Sequence, residues 1–310
     1  MNHFINIADL SKSDLRTIIN VGKKRKSERG QKSHSQPDTD QPLQGKTMVM
    51  IFEKTSTRTR ISFDLAVKQL GGSSIILNRD EIHYGKGDET IKDTAKVLSQ
   101  YADIIMIRTD SHKNVDEFKK HLDIPVINGL TNEGHPCQVM SDILTFEELK
   151  GNIKDRTIAW IGDGNNVSNS FIEAATKFDF NLKIASPKKY QPNSKVIKLA
   201  KKNNCKLLIT EDPFEAASEA DCIMTDKWIS MSDKGDKNKK KKILKKYQVN
   251  NKLLKVAKSD VIFMHCLPAY RGMEVTDEVI DSKMSVVFDQ AENRVHAQKS
   301  IIKYCCRDIY

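Results

Sequence analysis

Residues 47–60 read Thr47-Met48-Val49-Met50-Ile51-Phe52-Glu53-Lys54-Thr55-Ser56-Thr57-Arg58-Thr59-Arg60. The first six are apolar or β-branched, a short run that reads as a buried strand. Beyond the run, Ile61, Phe63, Leu65, Val67 and Leu70 recur at helical spacings until Gly71-Gly72 stops the helix. The Ser-Thr-Arg-Thr-Arg segment therefore falls where a strand hands over to a helix N-terminus. Backbone N–H groups, the positive end of the helix dipole, hydroxyls and guanidinium groups meet there, a place suited to a doubly charged oxyanion such as phosphate. The plainer reading is a hydroxyl-capped helix with two solvated arginines; it weakens because other strand ends carry equally loaded residues.

Working outward, the same rhythm recurs. A capped helix is expected within residues 1–24, with Leu15, Ile18, Ile19 and Val21 on its apolar face, and a loop between Gly30 and Gly45. Strands are expected at Ser74–Leu77, Ile104–Ile107 (delivering Arg108) and Val126–Leu130, the last followed by His135-Pro136-Cys137-Gln138. Helices are expected at Thr90–Tyr101, Val115–Leu122 and Val139–Leu149. Near residue 150 the pattern restarts with Ile158–Ile161 and the turn Gly162-Asp163-Gly164-Asn165-Asn166. Leu182–Ala185, Lys206–Thr210, Cys222–Thr225, Val261–Met264 and Val286–Phe288 read as further strands, and Arg294–Cys306 as a closing helix.

Short apolar strands alternating with amphipathic helices imply parallel sheets covered on both faces. The expected fold is α/β: two doubly wound parallel-sheet domains with an interdomain active-site cleft, the C-terminal helix returning to the first domain. Residues 1–148 and 290–310 would form one domain and 149–289 the other.

Composition narrows the function. At 310 residues, 38% apolar and 30% charged, the chain is long enough for two cores. No stretch approaches the ~20 apolar residues of a membrane span, and the N-terminus lacks the pattern of a secretory signal, so a cytoplasmic protein without membrane partners is expected. The cysteines at 137, 205, 222, 266, 305 and 306 are scattered and read as reduced thiols. The net charge of +10 owes much to the lysines between Lys227 and Lys246. These lack aromatic interleaving and read as a solvated surface segment rather than a nucleic-acid site.

In open α/β sheets ligands gather outside the carboxyl ends of the strands. That rule selects Ser56 to Arg60, Arg108, His135 to Gln138, Asn166, Asp226 to Met231, and His265-Cys266-Leu267-Pro268. The Gly162-Asp163-Gly164 turn is not a dinucleotide fingerprint. Val167 replaces the final glycine, and Ser186-Pro187 stands where a ribose-binding acid is expected. No P-loop is present. The His and Cys residues contain no C-x-x-C pair, and adjacent His265 and Cys266 suit one tetrahedral ion poorly, so neither metal nor cofactor is expected.

The motifs Phe52–Arg60 (F-E-K-T-S-T-R-T-R), Arg108-Thr109, H-P-C-Q from His135, G-D-G-N-N-V from Gly162, D-K-W-I-S-M from Asp226, H-C-L-P from His265 and D-Q-A-E-N-R ending at Arg294 occur in one order over nearly the whole chain. In this the chain resembles the aspartate/ornithine carbamoyltransferase family, and the D-x-W-x-S-M and H-C-L-P elements resemble its ornithine branch. The resemblance implies transfer of a carbamoyl group from carbamoyl phosphate to the δ-amine of L-ornithine, in a homotrimer serving arginine synthesis, without cofactor or nucleic acid. It implies that Ser56, Thr57, Arg58 and Thr59 hold the phosphate with Arg108 and Arg294. His135 would donate toward the carbonyl oxygen, and Gln138 with the Cys266-Leu267 backbone would hold the carbamoyl amide. Asn166, Asp226, Ser230, Met231 and Cys266 would bind ornithine, with Asp226 and Cys266 beside its side chain.

The chain departs from the family pattern in places. Ser232 replaces a loop glycine, His83 stands where a glutamine helps bind carbamoyl phosphate, Asp88 reads as an extra residue, and the segment after Ser232 is rich in lysine. The alternatives are a carbamoyltransferase for putrescine or acetylornithine and, prompted by the charge, a non-catalytic anion- or nucleic-acid-binding protein.

Overall fold

A computed structural model describes residues 1–84, 89–229 and 235–307. The chain divides into two compact units, residues 1–144 with 292–310 and residues 145–291.

The first unit begins with helix α1 (Lys12–Ser27), whose N-cap Ser11 accepts from Asp14 N. Strand β1 (Thr47–Phe52) follows, then α2 (Thr57–Gln69), β2 (Ser73–Asn78), α3 (Ile91–Leu98), β3 (Ile104–Arg108), α4 (His112–His121), β4 (Val126–Leu130) and α5 (Pro136–Lys150). The four strands form a parallel sheet in the order β2-β1-β3-β4. The run 48–52 is buried throughout, as a central parallel strand requires. Helix α2 departs from its expected face: Thr59, Ser62, Phe63, Ala66 and Val67 are buried, while Ile61 is 53% exposed. The stripe is a regular i, i+3, i+4 repeat, but two of its members are hydroxylated, so apolarity alone points to the wrong side.

The segment from Gly30 to Gly45 is irregular, as its composition predicts, yet it is tied down. Arg25 and Arg29 donate to Asp38 at 2.7 and 2.9 Å, and Lys299 reaches Asp38 at 2.5 Å and Gln69 at 3.1 Å. Burial raises the Asp38 carboxyl, but Lys299 and Arg25 outweigh it and hold the group below the usual carboxylate range.

The second unit runs through β5 (Thr157–Ile161), α6 (Asn166–Phe178), β6 (Asn181–Ala185), α7 (Ser194–Lys202), β7 (Leu207–Thr210), α8 (Pro213–Ala217), β8 (Cys222–Thr225), α9 (Lys237–Leu244), α10 (Asn251–Leu254), β9 (Ile262–His265), α11 (Asp277–Ile280) and α12 (Val287–Cys305). Its parallel sheet has the order β7-β6-β5-β8-β9. A core of Ile161, Ile223, Phe263, Tyr247 and Trp228 lies against it. The expected strand at Val286–Phe288 is a misreading. Val287 and Phe288 open α12, and just before them Ser285 forms an isolated bridge with Phe263 of β9. Three apolar residues are too few for periodicity to separate strand from helix.

From Glu292 onward α12 belongs to the first unit. It comes back to α1 closely enough that a Cβ on Gly22 would lie 3.4 Å from the His296 carbonyl.

Each sheet reverses its direction of growth once. In the first the reversal lies between β1 and β3, in the second between β5 and β8. Such switch points open crevices at the strand carboxyl ends, and the loaded motifs sit at both.

Candidate functional site

At the first switch point Phe52 pairs in register with Arg108, so β1 and β3 end level with one another. Ser56 caps α2 by accepting from Thr59 N at 3.3 Å. The Thr59 hydroxyl is the centre of the cluster. It accepts from Arg108 Nη1 at 3.1 Å and from Arg294 Nη2 at 2.8 Å. The other arm of Arg294 donates to Gln138 Oε1 at 2.6 Å, and Gln138 Nε2 donates to Asp142 Oδ1 at 2.7 Å. Thr59, Gln138, Asp142 and Arg294 are all buried. Two guanidinium groups thus share one hydroxyl at a helix N-terminus, a preorganised cationic cradle.

His135 lies within reach of the same field. Burial, then Arg294, then Arg108 depress its pKa well below the ordinary histidine value, so the imidazole is neutral at pH 7. A neutral ring can donate one N–H to a carbonyl oxygen without bringing another positive charge. Thr57 is exposed at the first position of α2 and Arg58 is half-buried. His83 is exposed and makes none of these hydrogen bonds, although the adjacent Tyr84 is anchored.

That anchor is Glu53, a residue the sequence reading left without a role. Its Oε1 accepts from Tyr84 Oη at 2.7 Å and from Asn114 Nδ2 at 3.3 Å, and its Oε2 accepts from Thr109 Oγ1 at 2.6 Å. Burial and the Glu53 charge together push the Tyr84 phenol above its ordinary pKa. One carboxylate therefore ties the ends of β1 and β3 to the segment leading to Tyr84. Its place at the end of a strand, directly before the hydroxyl-rich run, was the available signal.

At the second switch point Asp226, just beyond β8, receives two donors. Asn165 Nδ2 donates to its Oδ2 at 2.7 Å and Cys266 Sγ to its Oδ1 at 2.9 Å. Asn165 also caps α6, its Oδ1 accepting from Val167 N and Ser168 N at 3.0 and 3.2 Å. Asn166, the residue singled out for ornithine, is the first residue of α6 and half-buried, and its neighbour Asn165 donates to Asp226. The capping preference for Asn immediately before a helix was the clue. Ser230 and Met231 lie outside the described residues, as do Ser232 and Asp88.

The His265–Pro268 turn is held from beneath. Leu267 N donates to His265 Nδ1 at 2.8 Å, which leaves the ring proton on Nε2, 3.4 Å from Glu274 Oε1. The imidazole and the carboxylate of this contact are both closed off from solvent, since His265 and Glu274 are fully buried. Leu267 has φ +54°, a left-handed conformation costly for a branched side chain, which points its backbone and that of Cys266 away from a regular strand exit. The ligating atoms of Asp226, His265 and Cys266 lie within 4.8 Å of one another, so adjacency in sequence does not keep His265 and Cys266 apart. Each of the three already has a protein partner in Asn165, the Cys266–Asp226 contact or the Leu267 N–H. All six cysteines are free thiols, and burial raises Cys137 to a pKa of about 12.

Among the described residues no helix is long and apolar enough to cross a membrane.

The comparisons with known proteins agree with this geometry. Residues 2–148 match the carbamoyl-P binding domain of aspartate/ornithine carbamoyltransferases, and residues 154–305 match the Asp/Orn binding domain of the same family. The ornithine carbamoyltransferase of Rhodopseudomonas palustris is 51% identical over 303 residues, covering 98% of this chain and 96% of its own. That of Nitrobacter winogradskyi is 50% identical with the same coverage. Among solved structures, ornithine carbamoyltransferase from Pyrococcus furiosus superposes with a TM-score of 0.91 at 43% identity, covering 97% of this chain and 96% of that one. The anabolic ornithine carbamoyltransferase of Campylobacter jejuni gives 0.91 at 35% identity, with 99% of each chain covered.

Proposed function

The chain belongs to the aspartate/ornithine carbamoyltransferase family, and we infer that it transfers the carbamoyl group of carbamoyl phosphate to the δ-amine of L-ornithine, giving L-citrulline and phosphate. The first unit takes carbamoyl phosphate. Ser56, Thr57, Arg58 and Thr59 cradle the phosphate with Arg108 and Arg294, as the joint grip of both arginines on Thr59 supports. Gln138, steered by Asp142, and the backbone of Cys266-Leu267 take the carbamoyl amide, and neutral His135 donates to the carbonyl oxygen. His83 is assigned to the phosphate side by position alone.

The second unit takes ornithine through Asn166, Asp226, Ser230, Met231 and Cys266. The observation that carries the amine assignment is the Cys266–Asp226 contact of 2.9 Å, a thiol and a carboxylate side by side where a cation would dock. An alkylammonium with a pKa of about 10 must lose a proton before it can attack. Asp226 is placed to receive that proton, either directly or through Cys266, whose own thiol proton would pass to the carboxylate as it takes up the amine's. The freed lone pair then forms the C–N bond, the carbonyl becomes a tetrahedral oxyanion, and its collapse breaks the C–O bond to phosphate as the nitrogen's second proton passes to the departing phosphate. Arg58, Thr59, Arg108 and His135 stabilise the oxyanion, each such donor being worth about 3–4 kcal/mol in the barrier. Phosphate departs already paired with guanidinium groups.

We further assign the protein to cytoplasmic arginine synthesis as a homotrimer. The family resemblance supports this assignment. Citrulline formation from carbamoyl phosphate and ornithine tests the reading: the intact protein should be active and Arg58→Ala should lose activity by ~10²-fold or more. An intact protein inactive with ornithine would refute it.

A further inference from the structure

The lysine-rich segment is not uniformly solvated. Lys237, Lys239, Lys241 and Lys242 are exposed, but Lys240 is 8% exposed. A lysine is buried at little cost only when its charge is matched. Lys240 Nζ donates to Asp163 Oδ2 at 2.8 Å, with side-chain exposures of 10% and 11%, and stands 5.2 Å from the centre of the Tyr190 ring. Asp163 belongs to the turn that follows β5. The rest of that turn is clamped: Trp160 Nε1 donates to Asp163 O at 2.9 Å and Gly164 N to Tyr190 O at 2.7 Å. Two residues after Asp163, Asn165 caps α6 and donates to Asp226.

We propose that Lys240 is a positioning residue for the amine substrate: its ion pair with Asp163 fixes the turn whose Asn165 aims the Asp226 carboxylate. A continuous path of hydrogen bonds and short backbone runs from α9 through Asp163 and Asn165 to Asp226, all within the second unit. Thr59, Arg108, Arg294 and Gln138 belong to the first unit. Losing Lys240 therefore loosens the ornithine side of the site and leaves the carbamoyl-phosphate side as it was. This inference rests on the reading of Asp226 as the group that faces ornithine.

Steady-state kinetics with both substrates varied separate the possibilities. Lys240→Met should raise KM for ornithine roughly tenfold, the size of a broken network contact, with KM for carbamoyl phosphate within twofold of the parent. Asp163→Asn, which keeps the shape of the turn and removes the charge, should do the same, and Lys240→Arg should lie nearer the parent than Lys240→Met. An ornithine KM within twofold of the parent in both Lys240→Met and Asp163→Asn would overturn the proposal. So would a parallel rise of both KM values, which marks a general loss of structure. If Lys240→Met does not fold, Asp163→Asn decides the matter alone. Failure of the parent protein itself to make citrulline would instead strike the reading of the function.

Discussion

Arg294 Nη2 donates to the Thr59 hydroxyl at 2.8 Å although the two residues are 235 positions apart in the chain. The same guanidinium donates to Gln138, so one planar fork joins the helix that begins the phosphate cradle to the residue proposed to hold the carbamoyl amide. Lysine carries the charge but not the fork. Arg294→Lys should therefore lower kcat/KM for carbamoyl phosphate by ~10²-fold, as misplaced groups typically do, with a far smaller change in KM for ornithine. Near-parental kinetics in this variant would show that the fork does not matter.

His135 and His296 make stability depend on pH. Burial chiefly, then neighbouring arginines and lysines, depress both below the ordinary value of 6.5, His296 to about 3 against the opposing pull of Asp38. Well above pH 6.5 both are neutral whether the chain is folded or not, and they add no slope. As pH falls below 6.5 the unfolded chain takes up protons that the folded chain refuses, so stability is lost. The pair together contributes a slope of up to about 3 kcal/mol per pH unit. Urea unfolding between pH 7 and pH 5 should show this decline, and His296→Gln should reduce the slope by about half. A stability flat across that interval would contradict the burial argument.

Two glycines make opposite predictions from similar crowding. A Cβ on Gly164 would lie 2.3 to 2.5 Å from backbone atoms of Tyr190, Gln191 and Pro192. A Cβ on Gly129 would meet chiefly the Met106 sulfur, at 2.3 Å, and a thioether can swing aside. Gly164→Ala should destabilise by about 3 kcal/mol or more and Gly129→Ala by roughly 1 kcal/mol. Equal shifts in the denaturant midpoint would show that the backbone at 190–192 yields as easily as a methionine.

Much of this was legible in the residues themselves. Buried parallel strands are unbroken apolar runs, so β1, β3, β5 and β8 announced themselves, and the loaded residues after each followed from the strand-end rule. What escaped the sequence lies in side-chain direction. Asn165 and Asn166 are adjacent and identical, and only the start of α6 decides that the first of them turns toward Asp226. Lys240 is one lysine in a run of four, and composition cannot say which member is buried. Val287 and Phe288 look like a strand because both are apolar, yet Phe288 is 72% exposed on a helix. The partners of Glu53 come from Tyr84, Thr109 and Asn114, none of which any local pattern would pair with it.

The central claim is that the second unit, with Asp226 and Cys266 at the side-chain amine, takes L-ornithine, and a substrate panel tests it most directly. With carbamoyl phosphate held saturating, initial rates should be measured for ornithine, putrescine, acetylornithine and aspartate. The account predicts a kcat/KM for ornithine exceeding each of the others by ~10²-fold or more, the discrimination expected when buried polar groups lose a matched partner. Equal or faster turnover of putrescine, acetylornithine or aspartate would contradict it.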